Sequence, residues 1–100
     1  MTSEYTGQAI GVFEMDSYLS CIVALDAAAK AANVKIQGVE RNRLKQGACV
    51  KMRGSVSDVN AAMEAAILTA EKMGSEVFHH TVIAAPSEET EVAIVMTINK

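Results

Sequence analysis

The sequence predicts an α+β domain of the ferredoxin-like, split βαβ type: two β-α-β units in tandem, with a four-stranded antiparallel sheet and two helices on one of its faces. Three observations predict it. Four short stretches rich in β-branched and other apolar residues, 8–15, 34–39, 48–53 and 76–83, read as strands. Two stretches of similar length, 17–32 and 55–73, have no internal Gly or Pro and read as helices. Their order is strand, helix, strand, twice over. The halves share little sequence, so the repeat is one of architecture.

Each element has its own local cause. QAIGVFEM opens the chain's first strand, and Asp16 or Ser17 can cap the Ala-rich helix that follows. Asn33, which tolerates the left-handed conformation, is placed to end that helix. VKIQGV alternates apolar and polar residues through three cycles, as a half-buried strand does. ACVKMR is the third strand, with Gly54 at the turn. Ser55 and Asp58 form a capping-box-like start for the second helix. Val56, Val59, Met63, Ala66, Ile67, Ala70 and Met73 then recur at helical spacing, and Gly74 stands where a helix C-terminus wants glycine. EVFHHTVI is the fourth strand. In the tail, Pro86 and Glu88, Glu89 and Glu91 suit a helix start, whereas Val92, Ile94, Met96 and Ile98 alternate like a strand. A short C-terminal helix running into an extended end is expected.

The chain's 100 residues suit one domain, with a core over 8–87 and a tail over 88–100. Half are hydrophobic, only 21% are charged and four are aromatic, so the packing must come from small and β-branched side chains held close. A domain this small and this apolar is expected to hide further surface in an oligomer. A net charge of −3 and a pI near 5.3 oppose nucleic-acid binding by bulk electrostatics. The N-terminal residues lack the basic and apolar regions of a signal peptide, and no apolar run approaches bilayer length, so no membrane partner and a cytoplasmic location are expected.

No catalytic, metal or cofactor motif is present. Cys21 and Cys49 are too few for a disulfide framework or a zinc site and read as small buried hydrophobes. His79 and His80 are adjacent on a strand, so they point to opposite faces and cannot chelate one metal from one side. Phosphate-binding glycine loops, paired-cysteine loops and the exposed aromatics of RNA-binding sheets are all missing. Enzyme function is not expected.

The unusual feature is the connection RNRLKQG, residues 41–47. Arg41, Arg43, Lys45, Lys51 and Arg53 put five of the nine basic residues into one 13-residue window without an acid. In a monomer this is a solvated basic turn. In a ring with the connection at its axis, each cation would be repeated around a channel, and the summed field would draw anions. A dimeric regulatory module of the same fold, holding a small anionic ligand with 41–47, is the alternative. An anion-handling enzyme ranks behind both.

The segments A-I-G-V-F-E (9–14), L-D-A-A-A-K-A-A-N-V (25–34) and Q-G-V-E (37–40), with R-G-S-V-S-D-V-N-A-A (53–62) and V-F-H-H-T-V-I-A-A-P (77–86), resemble in order and spacing the single-domain, unpermuted shell proteins of bacterial microcompartments. The resemblance implies flat homohexamers that tile, with other shell proteins, into the facets of a polyhedral shell, and a pore on the six-fold axis for small metabolites. It implies no cofactor and no catalysis. By position, Lys30 and Asn33 match residues of the hexamer edge. Arg41, Asn42, Arg43, Leu44, Lys45, Gln46 and Gly47 take the place of the pore-lining loop.

The chain departs from the family in three respects. Its pore loop is one residue longer and carries three cations and a single glycine, Gly47, so that the pore either selects anions or is plugged by its own side chains. Crowded charges of one sign should turn outward, pair with Glu40 or bind anions. Ala84-Ala85-Pro86-Ser87 lacks the Arg and His that the family carries around this proline. The tail ETEVAIVMTINK is unusually apolar, suited to covering the ring's face or a neighbour.

Overall fold

The protein is described by a computed structural model over residues 4–41 and 47–98. Its elements are β1 (Ala9–Met15), α1 (Tyr18–Ala31), β2 (Lys35–Arg41), β3 (Ala48–Gly54), α2 (Val56–Lys72), β4 (Val77–Ile83) and α3 (Glu88–Thr97). The strands form one sheet in the order β2-β3-β1-β4, and every neighbouring pair is antiparallel. The expected split βαβ fold is therefore the observed one, with β1 and β3 in the middle.

Register decides which side chains make the core. Phe13 lies opposite Val50 and Met15 opposite Ala48, and all four point to the face that α1 and α2 cover. Cys21, Ala24 and Ala28 of α1 and Ala62, Met63, Ala66 and Ala70 of α2 complete this core. Alanine at most of these helical positions lets the two helices approach each other and the sheet closely. That lets a chain with four aromatics build its core from small side chains.

All three helices start with serine. The Ser17, Ser55 and Ser87 hydroxyls accept from the backbone N–H of Ser20, Asp58 and Thr90, each satisfying a donor that the first turn leaves open. α2 ends in the Schellman pattern: Gly74 has φ +73°, its N–H donates to Glu71 O, and Ser75 N–H donates to Ala70 O. α1 ends differently from the expectation. Its cap is Ala32 in extended conformation, and the Asn33 N–H donates across the molecule to Asp58 Oδ1 (3.4 Å). Asp58 thus serves two chain segments, at the start of α2 and at the end of α1.

The tail is helical from Glu88 to Thr97 and its cap Ile98 is extended; the rest of the expected extended end, residues 99–100, lies outside the described residues. The strand-like alternation loses to the start signals: a serine cap and three acids in a first turn whose dipole favours them. α3 lies on the sheet face opposite α1 and α2. Arg53 of β3 points to that face, is wholly buried, and forms a two-pronged ion pair with Glu91 (Nη1–Oε1 2.7 Å, Nη2–Oε2 2.5 Å). The same guanidinium donates to Gln37 Oε1, Tyr5 O and Gln8 O. At the far end of α3, Ile98 rests against Gly38 of β2. The second face of the sheet is thus partly covered by the chain's own tail.

Candidate functional site

The 41–47 connection begins and ends on well-built structure. Arg41 belongs to β2 rather than to a loop; it is that strand's last residue, paired with Ala48. Asn42, Arg43, Leu44, Lys45 and Gln46 lie outside the described residues. Gly47 is buried against the turn from β1 to α1, where a β-carbon would come within 2.2 Å of Met15 O. No side chain fits there, which accounts for the one glycine of the connection.

The other stem is held by the same turn. Tyr18, the first residue of α1, packs its ring on the core, and the Arg41 guanidinium lies over that ring, Cζ 4.3 Å from the centroid. Arg41 therefore relieves its charge against an aromatic face and not against Glu40. Glu40 instead forms an ion pair with Lys51 on β3. Lys51 is mostly buried, and loss of water pushes its ammonium below the usual lysine range. Tyr18 escaped the sequence reading because a tyrosine at a helix start has no pattern that ties it to a residue 23 positions on.

Lys30 stands exposed in the last turn of α1, where a cation suits the helix dipole, and pairs with Asp26 one turn earlier (2.7 Å). Both side chains are largely in water, so the pair adds little to stability. Asn33 lines a cleft of about 350 Å³ between the start of β2 and the start of α2, together with Lys35, Gly54, Ser55 and Asp58.

On the α3 side of the sheet, register sets Cys49, Glu14 and His79 in one row across β3, β1 and β4. This puts an acid opposite His79, which the sequence reading did not foresee because 65 residues separate the two. His80 pairs with Phe13 on the other face, as strand alternation requires. The row lines a shallow groove of about 150 Å³ with Val12 and Thr81. Among the described residues no three His, Cys, Asp or Glu side chains converge as a metal site. Cys49 is not the core residue expected: it is half-buried on this second face, with Lys51 Nζ 3.9 Å from its sulfur. Burial, then the charge of Glu14, raises its thiol's pKa. Cys21 is the buried small hydrophobe expected, and burial, then Cys49, pushes its thiol up to about 11. Neither is an activated thiolate.

The single chain leaves much apolar surface uncovered. Leu19 is 75% exposed and Met96 65%, and Val23, Val56, Leu68, Phe78 and Ile83 are exposed as well.

The comparisons agree with this architecture. The family model for the BMC domain matches residues 9–86. The chain is 35% identical over 88 residues to the carboxysome shell protein CcmK2 of Synechococcus elongatus, covering 86% of this chain and 84% of that one. It is 36% identical over 95 residues to the carboxysome shell protein CsoS1 of Prochlorococcus marinus, covering 94% and 90%. With the carboxysome shell protein CsoS1B of Hydrogenovibrio crunogenus it shares 35% over 97 residues, covering 96% and 97%. Among solved structures, a microcompartment protein from Desulfitobacterium hafniense DCB superposes with a TM-score of 0.76 at 27% identity. That match covers 88% of this chain but spans only 49% of the other. The chain is thus a structural protein of a bacterial microcompartment shell and not an enzyme, and it belongs to the BMC domain family.

Proposed function

We propose that this shell protein forms a cyclic homohexamer, that the hexamers tile with other shell proteins in the cytoplasm, and that residues 41–47 line a pore on the six-fold axis which handles small anionic metabolites. The observation that carries the assembly is the apolar surface of the single chain. Leu19, Val23, Leu68, Phe78, Ile83 and Met96 are large apolar side chains left exposed on the single chain, and packing of neighbours in a ring would cover such side chains. Lys30 and Asn33 are assigned to the ring's outer edge, where Lys30 is accessible to a neighbouring tile.

The pore reading draws on charge. Three cations per chain, Arg41, Arg43 and Lys45, become eighteen in a ring of six, and a field of that sign raises the local concentration of anions. Both stems of the connection are anchored on the β1–α1 turn, Arg41 over the Tyr18 ring and Gly47 against Met15 O.

Native mass spectrometry tests the assembly. A dominant species near 64 kDa, six times the 10.6 kDa chain, is expected. A clean dimer near 21 kDa would overturn the hexamer and make 41–47 the ligand site of a two-subunit module.

A further inference from the structure

We infer that Tyr18 is a positioning residue for anion recognition: by stacking on Arg41 it presents that guanidinium edge-on to small oxyanions such as phosphates and carboxylates. The inference deepens the pore reading and rests on it for the place where the anion is met. Three observations support it. The Arg41 guanidinium lies 4.3 Å from the ring centroid, within cation–π range. The ring itself is fixed, because Tyr18 packs on the core cluster at the start of a serine-capped helix. Among the described residues, the N–H donors of Arg41 meet no acceptor, since Glu40 is taken by Lys51.

A guanidinium bound by its face keeps its edge available. That edge is a planar fork of donors matched to two oxygens of one carboxylate or phosphate, whereas a monatomic anion has one acceptor atom and cannot form the two parallel bonds. Free in water, a long arginine side chain would lose rotamer freedom on binding; stacked on Tyr18, part of that freedom is already gone. The arrangement should therefore favour oxyanions over chloride, where bare positive charge would not distinguish them.

Inorganic phosphate is the probe, titrated calorimetrically into the assembled protein against a chloride background of matched ionic strength. Tyr18→Leu keeps the bulk but removes the π face, and should weaken phosphate binding about twofold to fivefold. Tyr18→Phe should bind phosphate as the parent does. Arg41→Gln should lose at least as much as Tyr18→Leu, and the double variant should be no weaker than Arg41→Gln alone. Phosphate affinity unchanged in Tyr18→Leu, full additivity of the two losses, or no preference for phosphate over chloride in the parent protein would each overturn the inference.

Should Tyr18→Leu fail to fold, Arg41→Lys decides. It keeps the charge without the planar fork, and phosphate binding as tight as the parent's would refute the stacking argument. Native mass spectrometry on the same samples separates the two proposals. Coupling between Tyr18 and Arg41 in a dimer would sink the hexamer and leave this inference standing; an intact ring without coupling would do the reverse.

Discussion

Cys21 shows how one side chain ties the core to solution conditions. It sits wholly inside the layer between α1 and the sheet, and burial raises its thiol from 9.0 to about 11. The folded state holds that proton more tightly than the unfolded chain. Its contribution is therefore complete below pH 9 and is lost as pH rises towards 11. Thermal melts taken between pH 9 and pH 11 should show a steady fall in melting temperature, and Cys21→Ala should make the fall shallower. Cys49 and Tyr5, whose pKa values are also raised, will keep some slope in that variant. An equally steep profile for Cys21→Ala would mean that other groups set the alkaline limit. Cys21 as a small core residue was legible from its apolar surroundings. The half-buried place of Cys49 was not, because only the pairing of β3 with β1 shows which face an alternating residue takes.

At the scale of elements, α3 depends on one buried ion pair. Glu91 and Arg53 are both nearly free of solvent and grip each other through two hydrogen bonds. Removing one partner leaves an uncompensated charge, at a cost of about 3–5 kcal/mol. Urea unfolding of Glu91→Ala should register a loss of this order. Replacing both residues by apolar ones of similar volume should recover much of it, which would show that the cost lies in the orphaned arginine. A loss below about 1 kcal/mol for Glu91→Ala would mean that α3 detaches and lets water reach Arg53. The four strands and both long helices were legible because alternation, alanine content, serine caps and Gly74 all agree locally. α3 was ambiguous because its apolar residues fit either period, and the deciding contact joins positions 38 residues apart.

For the whole molecule, the separation between scaffold and charge is the testable property. Arg43 and Lys45 stand between the two stems, whereas the apolar residues assigned to assembly lie on the helices and on β4. Replacing Arg43 and Lys45 by Ser should reduce phosphate binding several-fold and leave the native mass spectrum unchanged. A collapse of the ring would assign the connection a structural role. The sequence made this connection conspicuous through its charge density, yet it could not show that Arg41 belongs to the strand or that Tyr18 receives it. Side-chain direction follows from register and packing, which residue spacing does not contain. Gly47 and Arg41, fixed on the same turn, carry one more consequence. Since the anchors lie outside 42–46, a lineage or an engineer can rewrite that insert as a cassette, and doubling its length raises the closure entropy by only about 0.6 kcal/mol. What such a shell admits can then evolve at a different pace from the tile that builds it.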